Sequence, residues 1–434
     1  MFKTCTELKD SEVEYIGSIP ESWKIIRNKH IFKKNKVIVG SEWDKYNVLS
    51  LTKKGVIIKD IELNEGKMPS NFSIYQIVHP DNLLMCLFDI DVTPRCVGYI
   101  ENKGIVSAAY TELSAKDKIH MKYYYWWYLM LDIDKQLLHL SKNLRNSLSI
   151  EDFMALHVIK PPLAEQKQIA NYLNKQTAKI DNIISKNKEL IQLLEEKRVS
   201  LINQVVTKGL NLNVSLKDSG IEWIGKIPKH WEVKRLKYNC SVNPSNKKSI
   251  PNEGLKINFL PMENVSEDGW FDLESLAPYS SISKGYTYFE NGDVLVAKIT
   301  PCFENGKSTL VKDLKYGFGF GSTEFHVIRF KEQILPEFVY YIIKSYAFRT
   351  IGQAFMHGTA GQKRVGTNFI EDYMMVTPPI GEQEEIIEYL NNKTDKLTKA
   401  ISKIQENINL LEEYKTSLIH HVVTGKIDVR GEEV

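Results

Sequence analysis

A 47-residue stretch, Pro161 to Thr207, returns 217 positions later as Pro378 to Thr424, with 25 residues identical. In the first copy Ile169, Leu173, Ile180, Ile183, Leu190, Leu194, Leu201 and Val205 recur at three- and four-residue steps, the spacing of one helix face. The second copy places Ile386, Leu390, Leu397, Ala400, Ile404, Leu411, Leu418 and Val422 on the equivalent face. Pro-Pro suits a first turn whose N–H groups lack partners, Glu165 and Glu382 sit at the positive end of the helix dipole, and Gly209 and Gly425 supply stops. A helix of this length runs roughly 65 Å at about 1.5 Å per residue. So long and narrow an apolar stripe needs a partner along its whole length, and the other copy is the natural one, which predicts a coiled coil. The plainer alternative is two helices, each packed on its own globular domain. Asn187 and Asn407 interrupt the stripe, and a buried Asn can fix register. Helix direction does not follow from the pattern.

A second repeat precedes each helix. LKDSEVEYIGSIPESW (Leu8 to Trp23) and LKDSGIEWIGKIPKHW (Leu216 to Trp231) agree at 10 of 16 positions, at an offset of 208. The chain is therefore one unit written twice: signature, variable block, long helix. A period above 200 residues excludes short solenoid repeats. The blocks, Lys24 to Lys160 and Glu232 to Thr377, share little sequence but a common skeleton. Asn82–Cys86 and Asp293–Ala297 read as buried strands. Thr111-Glu112-Leu113 lines up with Thr323-Glu324-Phe325. Aromatic helical runs follow at Tyr123–Leu131 and Phe338–Tyr346, then polar basic loops at Ser141–Ser149 and Gly358–Thr367, then IEDF and IEDY. Both blocks read as α+β. A repeated framework carrying different blocks is the layout of a two-headed recognition protein.

The IPxxW signature, the PPxxEQ helix start, the LLEE centre and the SLIxxVVT helix end, each present twice and the last followed by Gly within two residues, resemble the specificity subunit of type I restriction–modification systems. The resemblance covers essentially the whole chain. It implies an α+β fold with two target-recognition domains separated by two long helices in an antiparallel coiled coil, an internal pseudo-two-fold duplication. On that reading, residues 1–160 form target-recognition domain 1, 161–210 the central helix, 211–377 target-recognition domain 2, and 378–434 the C-terminal helix and tail. The chain would be a non-catalytic subunit reading a bipartite site on double-stranded DNA. It would direct two methyltransferase subunits and the motor–nuclease subunits. S-adenosylmethionine, ATP and Mg would be used by those partners, with no cofactor in this chain. The helices would act as a ruler between the half-sites. The family's variable blocks do not align residue by residue, so no base-reading residue carries over.

The residues agree with a non-catalytic role. Pro-Pro occurs only where the helices open, so there is no Asn/Asp-Pro-Pro-Tyr/Phe element for a flipped adenine, and no GxxxxGK[ST] phosphate loop. There is no HExxH or CxxC, and the adjacent His420-His421 pair suits packing better than a metal. Five unpaired-looking cysteines and an N-terminus without an apolar core predict a cytoplasmic protein. The longest apolar run, Tyr123 to Leu131, is too short to span a bilayer. Net charge is only +3, so any DNA-binding surface must be local.

One pattern offers a rival. Asp81 with Glu101 and Lys103, and Asp293 with Asp313 and Lys315, formally match a nuclease core in which two carboxylates and a Lys hold Mg²⁺. A self-contained Mg-dependent DNA nuclease is thus one alternative, and a coiled-coil DNA-bridging protein another. Candidate DNA contacts lie in the loops: Gln362, Lys363 and Arg364, with Asn143, Arg145 and Ser147 as the weaker equivalent. Gln suits adenine, and Arg suits guanine. Lys53, Lys54, Arg95, Lys247, Lys248 and Lys298 are candidates for phosphate. Trp126, Trp127 and their tyrosine neighbours form either a base-stacking platform or, more simply, domain core.

Overall fold

The computed structural model describes residues 7–60, 71–140, 146–211, 213–244, 255–359 and 361–431. Two unbroken helices dominate it, Leu163–Lys208 and Ile380–Val423. Each stops where the repeat predicts: Gly209 and Gly425 follow with φ of +73° and +74°, a left-handed turn that suits glycine. The chain packs into two compact units, residues 1–187 with 406–434, and residues 188–405. Each unit takes one variable block and about half of each long helix.

In the first unit the helices run in opposite directions. Trp23 touches Glu165 at the start of one helix and lies against Gly425 just past the end of the other. Further along, Asp181 pairs with Lys415 at 2.6 Å. The second unit repeats this with Trp231, which bonds Glu382 and packs on Gly209. Ile169, Leu173, Ile180, Ile386, Leu390 and Leu418 are buried, and Leu194, Leu201, Leu397 and Leu411 are half-buried. The stripe differs from expectation in its middle. Ile183 and Leu190 are exposed, and Ile184 and Ile408 are the buried positions there. At 3.6 residues per turn a step of four from Ile180 turns about 40° and a step of three about 60° the other way, so both flank the stripe and the packing covers the Ile184 side. Neither Asn187 (half-buried) nor Asn407 (exposed) is a buried register device.

Both blocks are α+β and share one antiparallel four-stranded sheet. In the first its order is Phe32–Asn35, Thr111–Ala115, Leu83–Met85, Val97–Tyr99. In the second it is Cys240–Val242, Phe325–Phe330, Val294–Ala297, Ser308–Leu310. The Leu83–Met85 and Val294–Ala297 strands are fully buried, as their unbroken apolar runs require. Register corrects one alignment. Leu113 faces Leu83, and Ile328 faces Val294, so the counterpart of Leu113 lies three residues beyond Phe325. Glu112 is therefore mid-strand and buried, taking N–H groups from His79 (2.6 Å) and Asn82 (2.8 Å), while Glu324 precedes its strand.

The aromatic runs are core helices, Met121–Ile133 and Pro336–Lys344. Tyr123, Tyr124, Trp126, Trp127 and Tyr128 are all buried, which removes the stacking platform. The repeated polar residues of the long helices explain how these runs dock. Gln166 accepts from the N–H of His120, which caps the first run, and donates to the Pro161 carbonyl; Gln383 does the same with Leu335 and Pro378. About two turns on, Asn174 accepts from Trp126 Nε1 at 3.1 Å and Asn391 from Tyr341 Oη at 2.5 Å. PPxxEQ is thus an assembly motif: its Glu holds the signature Trp and its Gln caps the aromatic core helix.

Candidate nucleic-acid interface

In the second unit the buried strand Val294–Ala297 leaves the sheet at Lys298. Its N–H bonds the Glu324 carbonyl, and its own carbonyl accepts from Val365. The Thr300 N–H bonds the Lys363 carbonyl at 3.0 Å. The hairpin pairing Met356–His357 with Arg364–Val365 is thereby stitched to the strand exit. Lys298, Gln362, Lys363 and Arg364 come together at one corner, with Gln362 and Lys363 exposed. Arg364 differs from the other three. Its Nε and Nη2 each meet a Glu324 carboxylate oxygen at 2.9 Å, a bidentate pair. Arg364 holds the Glu324 carboxyl below its usual range, despite partial burial pushing the other way. Arg364 thus braces the hairpin.

The first unit uses the same corner. The Leu87 carbonyl accepts from Leu148, Ile90 donates to the Asn146 carbonyl, and Ser147 Oγ accepts from the Asp89 N–H at 3.3 Å. The described part of the basic loop of each block therefore docks on the exit of the same strand. Lys53 and Lys54 occupy the exposed turn of the hairpin Leu49–Thr52 with Gly55–Ile58. Arg95 reaches the Lys53 carbonyl at 3.4 Å, so hairpin and strand-exit loop meet. Asn143, Arg145, Lys247 and Lys248 lie outside the described residues.

Sequence reasoning missed the brace of the first corner. Buried Asp132 accepts from the Cys96 N–H at 2.8 Å and lies 3.8 Å from Arg95 and 3.6 Å from Lys135. Lys135 in turn donates to the Ile90 and Thr93 carbonyls. The available signal was an acid inside an otherwise apolar helical run. The loop so held carries Val92, 74% exposed, at its surface.

Members of both nuclease-like sets are already engaged by other side chains. Asp293 is buried and taken by Arg329 through two bonds of 2.9 and 2.7 Å, which raise the guanidinium's pKa against the opposing effect of burial. Asp81 accepts from the Tyr99 hydroxyl, and Lys103 lies over the Tyr46 ring at 5.3 Å. No cluster of three or more His, Cys, Asp or Glu fit for a metal occurs among the described residues.

The sequence model of the type I restriction modification DNA specificity domain matches residues 95–193 and again 228–410, together more than half of the chain. The EcoEI specificity subunit of Escherichia coli is 35% identical over 204 residues, covering 46% of this chain and 33% of that protein. The EcoAI subunit of the same species is 40% identical over 165 residues, covering 37% and 28%. The match thus spans about a third of those relatives' length. The MjaVIII specificity subunit of Methanocaldococcus jannaschii is 25% identical, covering 95% of each chain. Two solved folds also match: a chain of a type I R-M system (TM-score 0.69, 12% identity, 93% of this chain and 98% of that one) and the HsdS subunit of Thermoanaerobacter tengcongensis (TM-score 0.53, 13% identity, 94% and 98%). With the domain model matched once in each half of a duplicated framework, the chain belongs to the type I restriction modification DNA specificity family.

Proposed function

We propose that this chain is the DNA-reading subunit of a type I restriction–modification complex, each block contacting one half of a bipartite duplex site. The observation that carries this reading is the repeated corner: two blocks of unlike sequence present different loops from the exit of the same sheet strand. Gln362, Lys363, Lys298, Ser147, Lys53 and Lys54 are the proposed contacts within the described residues, and Arg364, Asp132 and Arg95 hold the loops that carry them. Duplex phosphate meets the lysines, and base edges meet the loop side chains. Two methyltransferase subunits and motor–nuclease subunits are the proposed partners, supplying S-adenosylmethionine, ATP and Mg chemistry in the cytoplasm, while this chain performs no bond-making step. The engagement of Asp293 by Arg329 counts against the nuclease alternative.

The test is a block exchange. Replacing Glu232–Thr377 with the second block of another family member, followed by mapping of methylated sites in the host genome, should change one half of the recognised sequence. A change in both halves, or none, would refute independent reading.

A further inference from the structure

The second unit holds a cleft of about 710 Å³ between the Leu163–Lys208 helix and its variable block. At its floor are two basic side chains, Lys344 and Arg349, in ion-pair contact with no acid among the described residues. Lys344 Nζ donates to the carbonyls of Glu267 (2.7 Å) and Gly306 (3.0 Å) and lies 5.4 Å from the Tyr340 ring centre. Two of its three N–H donors are thereby used. Arg349 keeps its Nε buried with no hydrogen-bond partner among the described residues. Gly306 makes room for this guanidinium, since a Cβ there would fall 3.0 Å from Arg349 Cδ. Neither cation has a carboxylate within 4.0 Å among the described residues, whereas Arg198 beside them is paired with Asp268 at 2.5 Å. Withdrawing a cation from water without a counter-charge is costly, so an anion from outside stabilises this floor.

The rim decides how large that anion is. Glu195, Glu196 and Glu267 are exposed around the opening. A duplex crossing it would bring its phosphates against three carboxylates, while one small anion can pass between them. We propose that the cleft floored by Lys344 and Arg349 is an anion site that takes a single phosphate group, free or at the end of a mononucleotide.

The intact chain is titrated with orthophosphate by calorimetry, against chloride at matched ionic strength. The expected result is saturable binding and a raised thermal midpoint, since a ligand bound only by the folded state stabilises it. Arg349→Gln should weaken binding at least about tenfold, the scale of one charge-assisted hydrogen bond. Lys399→Gln, on the exposed helix surface, should bind as the unmodified chain does. A 5′-mononucleotide that binds more tightly than orthophosphate identifies the nucleotide as the source; equal affinity identifies free phosphate. No saturation beyond the chloride control, or undiminished affinity in a folded Arg349→Gln chain, overturns the site. Displacement of phosphate by duplex DNA overturns the single-phosphate reading. Should Arg349→Gln not fold, phosphorus NMR line-broadening on the unmodified chain, relieved by excess sulfate, decides the matter; absence of broadening overturns it.

Discussion

The signature tryptophans show how one hydrogen bond can organise a repeat. Trp23 and Trp231 are both buried, and each donates from Nε1 to the first glutamate of a long helix at 2.9 Å. The copies differ in one respect: Glu382 also holds His230 Nε2 at 2.5 Å, whereas Ser22 stands at the corresponding place before Trp23. Trp23→Phe removes the N–H while keeping a ring, and should cost about 1–2 kcal/mol. Trp231→Phe should cost less, because its carboxylate keeps a donor. Urea unfolding, read in the transition of the unit that carries the change, tests the order. Lys344 allows a pH prediction. Burial pushes its ammonium down to about 7; Asp268 and Glu267 oppose this, and Arg198 and Arg349 assist it. Unfolded, it titrates near about 10.4. Between those values the unfolded chain holds a proton the folded chain lacks, so this residue's contribution to stability rises as pH climbs from about 7 towards 10. Lys344→Met should flatten that rise, measured as the difference in urea midpoint between the two chains across the window. Phosphate binding by the unmodified chain should weaken over the same range.

Among the elements, the long helices were the most legible in sequence, and the reason is physical. A stripe of Ile and Leu at helical steps, flanked by Pro-Pro and Gly, leaves one conformation open over the whole stretch. What the pattern could not supply was which turn of the stripe is covered. Ile183 and Ile184 are equally apolar, and only the packed partner selects Ile184. The blocks were legible as strands and core helices but not in register, because a short motif such as Thr-Glu-Leu carries no record of its cross-strand neighbour. The candidate interface was half legible. Basic loops announced themselves, but only coordinates show that Arg364 is committed to Glu324 and that Asp132 braces the other corner. The helices also carry the spacing prediction. Packing passes from one unit to the other between Asn187 and Lys188 and between Gln405 and Glu406. A heptad inserted at both points keeps the face and lengthens each helix by roughly 10 Å, about three base pairs at about 3.4 Å each. Binding to targets with graded spacers should then favour one about three pairs longer, with both half-sites unchanged. An unchanged optimum would refute the ruler.

At the scale of the molecule, both copies of the signature meet the end of a long helix in the same way. In the second unit Gly209 packs on Trp231, and the chain continues into Leu216, which pairs with Pro228. In the first unit Gly425 packs on Pro20 and Trp23, and Leu8 pairs with Pro20, although Leu8 does not follow Gly425 along the chain. A permutant that joins the C-terminal tail to Leu8 and opens between Gly209 and Lys217 should therefore fold and bind the parental DNA site in a gel shift with the methyltransferase present. A soluble, partner-bound permutant that ignores the site would refute the circular arrangement.

The order of these segments along the chain has a consequence for biosynthesis. Residues 188–405 are contiguous, so the second unit has all its chain before translation ends. The first unit takes residues 1–187 and 406–434. Its Tyr123 hydroxyl closes on the carbonyl of Val423, 300 residues later. The half that leaves the ribosome first is thus the last to be completed, and until then Ile169 and Trp23 lack the C-terminal segment that lies beside them. A ribosome that stalls or terminates near Gln405 releases a finished second head joined to an unfinished first one, with its apolar face open to chaperones and proteases.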